Sequence, residues 1–297
     1  MSKRTWALLA ATIVSIIYGV TFTIAKDVMP KYVEPFGFIT MRVGGSMLLF
    51  WLVSFFGPKE KIAKEDFPRI VAAALFGVAL NMLTFFKGLS YTSPIMGAVL
   101  MVTTPMIVLV LSAIIMKERM LKRKVFGLIL GLAGTITLIL YGKSMVNAPN
   151  ATLGNLLVFI NAVSYGFYLI IVKKLMDKYN AFTFVKWIYT FGFLMVLPFG
   201  WNEFNAIDFV NLPTDILWKI GFVVVFSTFF TYLLNLISMR ELKPTTVAVF
   251  IYLQPLFATI FAVGLGKDDL SLVKLLSAVL IFTGVYLVTQ KRVISEK

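Results

Sequence analysis

Apolar residues along the chain fall into ten long runs, separated by short segments that carry charge, Pro, Gly or Asn. The runs predict helices over residues 5–26, 35–56, 67–88, 92–117, 122–142, 152–176, 181–201, 214–239, 243–265 and 270–290. Each run is close to the roughly 20 apolar residues that a helix needs to cross a bilayer. The segments between the runs are too short to fold alone. The pattern therefore predicts an all-α integral membrane protein with ten transmembrane helices.

The composition agrees with this pattern and excludes several classes of protein. Hydrophobic residues make up 59% of the 297-residue chain and charged residues 14%, with a mean hydropathy of +0.90. Soluble domains carry about 25% charged residues. The chain has no His and no Cys, which excludes disulfides, Ser–His–Asp triads, Cys–His pairs and the usual zinc sites. We expect no catalytic residue, metal or cofactor, and an integral-membrane enzyme is the weaker alternative.

The basic residues predict how the helices are oriented. The formal net charge is +14, from 28 Lys and Arg against 14 Asp and Glu. Alternate loops place 20 of the Lys and Arg residues on the side of the termini and 7 on the other side, with Arg42 inside a helix. Because cytoplasmic loops are enriched in Lys and Arg, we expect both termini in the cytoplasm and the chain in the cytoplasmic (inner) membrane. The charge is then explained by lipid and topology, without nucleic acid.

The two halves of the chain repeat each other. A shift of 147 residues places Tyr18–Tyr32 on Tyr165–Tyr179, with seven of the 15 positions identical. A shift of 150 pairs further residues with the same type: Pro94, Pro105, Lys117, Lys124 and Gly134 fall on Pro244, Pro255, Lys267, Lys274 and Gly284. Each repeat contains five of the predicted helices. Because five is an odd number, the second repeat enters the membrane from the side opposite to the first. The sequence predicts two inverted-topology five-helix repeats, residues 1–145 and 146–297, as in many secondary transporters.

These repeats resemble the EamA-type members of the drug/metabolite transporter superfamily. The residues that carry the resemblance are Tyr18-Gly19, Phe22 and Lys26 in helix 1, Arg42 in helix 2, Thr92-Ser93-Pro94, Pro105 and Glu118-Arg119 along helix 4, and Gly127 and Gly134 in helix 5. The chain departs from the family pattern at Tyr18, where tryptophan is usual, and at Asp268, where glutamate is usual. The resemblance implies a secondary transporter that works by alternating access, with export of amino acids or related metabolites as the commonest theme.

Other cargoes and one other class stay open at this stage. Nucleotide-sugar, phosphorylated or lipid-linked cargo would favour a basic cavity that reads phosphate, for which Arg42 and Lys26 are the candidates. A channel or a non-transporting membrane scaffold is a different class with less support. Saturable exchange of a substrate would separate a carrier from a channel.

Polar and aromatic residues in the middle of the helices form the candidate substrate site. They recur at helical spacing, which places each set on one face of its helix. The predicted substrate-binding residues are Tyr18, Phe22, Arg42, Asn81, Phe85, Thr104, Asn161, Tyr165, Tyr168, Tyr232, Asn235, Tyr252 and Gln254. Together they predict a cavity of aromatic rings and amides, suited to a small zwitterion or amphipathic metabolite. Hydrogen bonding between helices is the alternative role for each residue.

Two prolines near the midpoints of their runs predict helix kinks. Pro105 and Pro255 cannot donate to the carbonyls of Met101 and Ile251, four residues earlier. In lipid such a carbonyl needs a partner from protein or from water in a cavity. The prolines therefore predict either a structural kink or a water-filled site.

Two cations and a lack of central carboxylates bear on the mechanism. Arg42 lies seven residues into its run, where charge is costly. It is predicted to anchor an anion such as a substrate carboxylate, and Lys26 to anchor an anion or couple transport to protons. A structural role with the charge reaching toward water is the alternative for both. No Asp or Glu lies in the middle third of a predicted helix, which favours facilitated diffusion or exchange.

Three glycines on one face of helix 5 predict a close helix–helix contact. Gly127, Gly131 and Gly134 include a G-x-x-x-G motif, which lets two backbones approach. Packing within one chain is the first interpretation and a dimer interface the second. The expected partners are thus a small-molecule substrate and the lipid bilayer, with the chain a monomer or homodimer.

Overall fold

The computed structural model describes residues 2–92, 94–141, 150–264 and 271–290. Within the described helices, eight side chains fall outside this description, those of Phe22, Thr23, Lys26, Ser90, Pro94, Ile95, Met96 and Ala262. In the described ranges the chain is helical, with no β-strand.

Ten helices in the described ranges are long and apolar enough to cross a membrane. Their bounds are α1 Lys3–Val28; α2 Pro35–Ser54; α3 in three parts, Phe67–Ala74, Leu75–Ala79 and Leu80–Tyr91; α4 in two, Pro94–Met101 and Thr104–Ile115; α5 Lys122–Leu140; α6 Ala151–Met176; α7 Ala181–Asn205; α8 in three, Thr214–Phe222, Val223–Phe230 and Thr231–Glu241; α9 in three, Pro244–Ala248, Val249–Tyr252 and Leu253–Gly264; and α10 Leu272–Thr289. The ends lie within four residues of the predicted ones. The predicted fold class is confirmed.

Local sequence explains where several of these helices begin. The side chains of Ser2, Asn150, Asn180 and Ser271 each accept a hydrogen bond from a backbone N–H in the first turn of α1, α6, α7 and α10, respectively. Such caps satisfy donors that have no partner inside the helix. Proline occupies the first turn of α2 and the first part of α9, where its missing N–H costs nothing.

The helices pack in pairs that follow the repeat. The α6 helix, from the second half of the chain, packs against α3 and α4 of the first half, and the equivalent α1 packs against α8 and α9 of the second half. The α2 helix packs against its own equivalent α7, and α5 against α10. Glycine contacts repeat too, since Gly45 abuts Val224 of α8 and Gly192 abuts Val78 of α3. This exchange of partners is what two inverted repeats require.

The predicted boundary between the repeats, 145/146, falls among residues 142–149, which lie outside the described part of the chain. That boundary therefore stays a prediction.

A wide helical turn interrupts α3 and α8 at equivalent positions, a feature that the hydropathy pattern did not predict. The π turns cover Leu75–Ala79 and Val223–Phe230. In a π turn some backbone carbonyls lose their regular hydrogen bonds along the helix, and in lipid these carbonyls need other hydrogen-bond donors. The Ser164 hydroxyl donates to the Phe76 carbonyl at 2.7 Å, and the Ser46 hydroxyl donates to the Val224 carbonyl at 3.1 Å. The two turns are thus held by neighbouring helices.

The proline of α4 produces a break that protein alone repairs. The α-helix ends at Met101 and begins again at Thr104, one residue before Pro105, with a turn at residues 102–103 between them. The buried Thr104 hydroxyl donates to the Met101 carbonyl at 2.6 Å. In α9 a 3₁₀ turn, Val249–Tyr252, occupies the matching stretch. A break or change of helix type therefore lies just before each proline, in both repeats, while the kinks themselves stay predictions.

Carboxylates hold the α2–α7 pair at both ends. Glu203, at the end of α7, accepts hydrogen bonds from the backbone N–H groups of Phe36 and Gly37 at 2.7 and 2.9 Å. At the other end, Glu60 accepts from the Asn180 N–H and the Thr183 hydroxyl, both at 2.8 Å. A carboxylate at a helix N-terminus satisfies free donors and interacts favourably with the helix dipole. The two caps fasten each helix of the pair to its partner.

A charged cluster joins the ends of α3 and α6. Asp66 is 3% exposed and accepts from Arg69 at 2.8 Å, from Lys178 at 3.0 Å and from the Tyr179 hydroxyl at 2.8 Å. The hydrogen bond to this carboxylate raises the pKa of the Lys178 ammonium above its ordinary value. The cluster lies on the face of the molecule that carries the N-terminus, called the N-terminal face below.

Candidate functional site

A cluster of five tyrosines lies where α1, α6, α7 and α8 meet. Tyr165 and Tyr168 have ring centroids 5.9 Å apart, Tyr168 and Tyr232 are also 5.9 Å apart, and Tyr189 lies 5.2 Å from Tyr232. Tyr18 completes the cluster from α1. Rings at these separations contact each other favourably at their edges and faces. Two of the five tyrosines, Tyr18 and Tyr165, occupy equivalent positions in the two repeats, and the other three complete the cluster.

Arg42 brings a positive charge to this cluster. Its Nε donates to the Thr228 hydroxyl at 3.1 Å. No described carboxylate lies within ion-pair distance of its guanidinium. Its charge interacts electrostatically with Tyr18, Tyr189 and Tyr232. A guanidinium held among neutral hydroxyls still has hydrogen-bond donors to offer to an anion.

The π turn of α8 positions the polar side chains of the site. Thr228, on the turn, meets Arg42, and one turn later the Thr231 hydroxyl is hydrogen-bonded to the Tyr18 hydroxyl at 3.2 Å. The Tyr232 hydroxyl reaches across to α3 and donates to the Gly77 carbonyl, in the other π turn, at 2.8 Å. One helix face of α8 therefore connects α1, α2 and α3.

A cavity of about 10 Å³ lies beside the cluster. Its polar lining comes from Ser15, Tyr18, Tyr165, Asn235 and Gln254, of which the last four were predicted site residues. This volume is about that of one water molecule. A metabolite fits there only after the surrounding helices move apart, so the central site is closed in this conformation.

Other predicted site residues lie elsewhere, in helix contacts. Asn81 and Asn161 join α3 to α6 through their amides, and each donates to the other's backbone carbonyl, at 3.4 and 2.7 Å. The Thr104 hydroxyl donates to the Met101 carbonyl of its own helix, as described above. Phe85 packs edge-on to Phe86, and the buried Tyr252 packs over Gly131 of α5.

Two of the predicted residues lie outside the described side chains, Phe22 and Lys26. Their proposed roles, as well as those of the described residues, stay predictions.

Several residues of the site are absent from the predicted set, namely Ser15, Tyr189, Thr228 and Thr231. The repeat could have indicated Tyr189, because the shift of 147 residues that relates the two halves pairs it with Arg42, a predicted site residue. The contact between Thr228 and Arg42 joins residues 186 positions apart, and nothing in the local pattern marks it.

A second, larger cavity of about 610 Å³ opens on the N-terminal face. Its charged lining consists of Arg4, Lys117, Glu118, Arg119, Lys124, Lys173, Glu241 and Lys243. Thr246 lines this cavity and the next residue, Val247, lines the central one. The first part of α9 thus borders both cavities.

The ten apolar helices define a multi-pass membrane protein, and sequence comparison gives its class and family. The model of the EamA-like transporter family matches residues 5–140 and again residues 152–290. The chain belongs to this family, as the motifs had indicated.

Similar proteins agree with the family. An uncharacterized transporter of Archaeoglobus fulgidus is 26% identical over 97% of this chain and 100% of its own length. The uncharacterized transporter YyaM of Bacillus subtilis is 23% identical over 91% of this chain and 89% of its own. A protein of known crystal structure is 17% identical and superposes with a TM-score of 0.78, covering 95% of each chain. At that identity the likeness supports the fold alone.

Proposed function

We propose that this protein is a secondary transporter of small organic metabolites that exports an amino acid or a related compound by alternating access. The observation that carries the proposal is the Arg42 guanidinium, which lies among tyrosines with a Thr228 hydroxyl as its described partner. Arg42 is half-buried, and a guanidinium within the membrane-spanning part of a helix is costly without an anion. A substrate carboxylate would satisfy it through two parallel hydrogen bonds.

The tyrosine cluster supports the same class of substrate. Aromatic faces attract an ammonium group through the ring quadrupole, and they also pack against apolar side chains. The amides of Asn235 and Gln254, at the small central cavity, can orient a zwitterion. An amino acid offers all three features within one small molecule.

The inverted repeats provide a way to move such a substrate. If the two halves exchange slightly different shapes, the closed central site becomes accessible from one face and then from the other. The described carboxylates lie at helix ends and in loops, away from the site where a proton-carrying carboxylate would compete with substrate. We therefore propose exchange or facilitated diffusion, with coupling through Lys26 as the second option. By the positive-inside bias, both termini are proposed to face the cytoplasm across the cytoplasmic membrane.

Counterflow in proteoliposomes tests this function. Vesicles are loaded with a mixture of amino acids and related metabolites, no ion gradient is applied, and the exchanged compounds are identified by mass spectrometry. We expect saturable exchange of one chemical class. Absence of exchange without a gradient, and again after a proton or sodium gradient is imposed, would overturn amino-acid-like cargo.

The Arg42→Lys variant tests the anchor. Lysine keeps the charge but cannot bind a carboxylate through a planar fork, so we expect exchange to fall by about tenfold or more. The matched control is Arg69→Lys, in the half-exposed ion pair with Asp66, which should retain exchange. Equal exchange by both variants would show that Arg42 is not the anchor.

Phosphorylated, nucleotide-sugar or lipid-linked cargo is the second candidate. The observation in its favour is the basic cavity of about 610 Å³ on the N-terminal face, which is far larger than the closed central cavity. Adding such compounds to the counterflow mixture distinguishes the two candidates directly.

A further inference from the structure

The cavity on the N-terminal face concentrates positive charge from five separate parts of the chain. Six cations line it, Arg4, Lys117, Arg119, Lys124, Lys173 and Lys243, against the two carboxylates of Glu118 and Glu241. The lining therefore carries a formal excess of four positive charges, six minus two. Its volume of about 610 Å³ is within the range of pockets that hold small organic ligands.

One of the two carboxylates is already shared within the protein. Glu118 is 5% exposed, binds the Lys124 ammonium at 2.7 Å and the Lys243 ammonium at 3.6 Å, and accepts from the Thr245 hydroxyl at 3.1 Å. Lys173 has its own partner in Asp177, at 3.0 Å. These ion pairs form the fixed base of the cavity.

Three cations at the cavity have no such partner. No described carboxylate lies within ion-pair distance of Arg4, Lys117 or Arg119. Arg4 donates to the neutral backbone carbonyl of Thr289. Lys117 has a left-handed backbone, with φ of 52°, a conformation that is uncommon for a side chain of this type. Among the described residues, therefore, no carboxylate competes for these three cations with an anion bound in the cavity.

We infer that this cavity is a binding site for a phosphate-bearing anion, separate from the central site. A phosphate monoester carries close to two negative charges and the diester of a lipid headgroup carries one, so either matches several cations better than a zwitterion of zero net charge. Gln290 and Thr246 add neutral polar groups to the lining. The inference does not depend on which substrate crosses the membrane.

Two sources of phosphate reach this position, a soluble phosphorylated metabolite and the headgroup of an anionic lipid. Binding is measured on the full-length protein in phosphatidylcholine nanodiscs by calorimetric titration with inorganic pyrophosphate. In parallel, native mass spectrometry counts the phosphatidylglycerol retained from vesicles of equal phosphatidylglycerol and phosphatidylcholine. Saturable pyrophosphate binding identifies the soluble source, and selective retention of phosphatidylglycerol alone identifies the lipid.

The Lys117→Asn/Arg119→Gln double variant tests the site, with asparagine chosen because it tolerates the left-handed backbone. We expect at least about a tenfold loss of binding. The control is Lys59→Gln/Lys61→Gln, which removes the same charge from the same face, in the loop after α2, away from the cavity lining. Arg119→Lys keeps the charge and should retain most of the binding.

The inference is overturned if wild type binds neither probe, or if the control loses as much binding as the cavity variant, since a general surface potential would then explain it. A melting temperature close to that of wild type shows that the double variant is folded. If it does not fold, Arg119→Gln alone is compared with Arg119→Lys by the same criteria. Because the measurement is binding rather than transport, failure here leaves the proposed exporter function intact, and the converse also holds.

Discussion

At the scale of single residues, Thr104 shows how a hydroxyl keeps a proline inside a membrane helix. Pro105 leaves the Met101 carbonyl without its usual donor, and the buried Thr104 hydroxyl takes that place at 2.6 Å. The sequence predicted Thr104 as a substrate contact. Its hydrogen bond to its own helix offers a purely structural role.

Removing that hydroxyl distinguishes the two roles. Thr104→Val keeps the shape of the side chain but leaves a buried carbonyl unpaired, so we expect a loss of about 1–3 kcal/mol in the free energy of unfolding. Thr104→Ser keeps the donor and should lose much less. Thermal unfolding in detergent micelles measures both. A Thr104→Val protein of wild-type stability that has lost exchange would favour the substrate role instead.

Arg42 shows the limit of prediction at this scale. Its depth within an apolar run marks it as an unusual residue from the sequence alone. Its partner Thr228 is one of many hydroxyl residues in the helices, and it comes from the other repeat. The local pattern carries no information on which hydroxyl will lie beside which charge, because the pairing depends on how α2 packs against α8.

At the scale of helices, α5 and α10 form a close backbone contact through glycines of both helices. A Cβ added to Gly284 would lie 2.5 Å from the Gly127 carbonyl oxygen and 2.6 Å from the Gly131 backbone nitrogen. The face of α5 that carries Gly127, Gly131 and Gly134 is thus covered by helices of the same chain. This agrees with packing within one chain, while the choice between monomer and homodimer stays a prediction.

Substituting Gly284 tests this contact. In Gly284→Ala the new methyl group meets backbone atoms, which cannot rotate away, so α10 must shift and we expect a destabilisation of about 1–3 kcal/mol. Gly221 in α8 has no atom within 4 Å of an added Cβ, so Gly221→Ala is the matched control and should be neutral or slightly stabilising. The midpoint of thermal unfolding measures the difference. A neutral Gly284→Ala would mean that the two helices are less tightly packed than described.

The π turns belong to this scale as well. Hydropathy identifies α3 and α8 as helices because both are apolar around most of their circumference. Such uniform runs carry little periodicity from which a local change of helix type could be read. The turns at Leu75–Ala79 and Val223–Phe230 are stabilised by hydroxyls from other helices, so they could be found only once those helices were in place.

At the scale of the whole molecule, the inverted repeats place the helix ends on two opposite faces, and the basic residues are concentrated on one of them. The wide cavity opens on that face, while the central site beside the tyrosines is closed. The proposed alternating access requires other conformations in which the central site opens, and the helices that would separate are those that line it, α1, α6, α8 and α9.

Cysteine labelling tests the orientation of the molecule. The chain has no native Cys, so each introduced thiol is read without background. We expect Asn211→Cys, in the loop after α7, to react with a membrane-impermeant maleimide in intact cells, and Lys61→Cys, in the loop after α2, to react only after permeabilisation. The reverse pattern would invert the proposed topology, and labelling of both sites in intact cells would indicate two orientations.

The sequence by itself determined the number of helices, their positions to within a few residues, their duplication and the family, because length, hydropathy and repeated Pro, Lys and Gly residues are all local properties of the chain. It also marked Arg42 and most of the tyrosines. The tertiary structure alone decided that Asn81 and Asn161 pair with each other, that Thr228 meets Arg42, and that the basic residues surround a cavity. Those arrangements depend on the packing of helices distant in sequence, where each hydroxyl, amide and charge takes whichever partner the neighbouring helix presents.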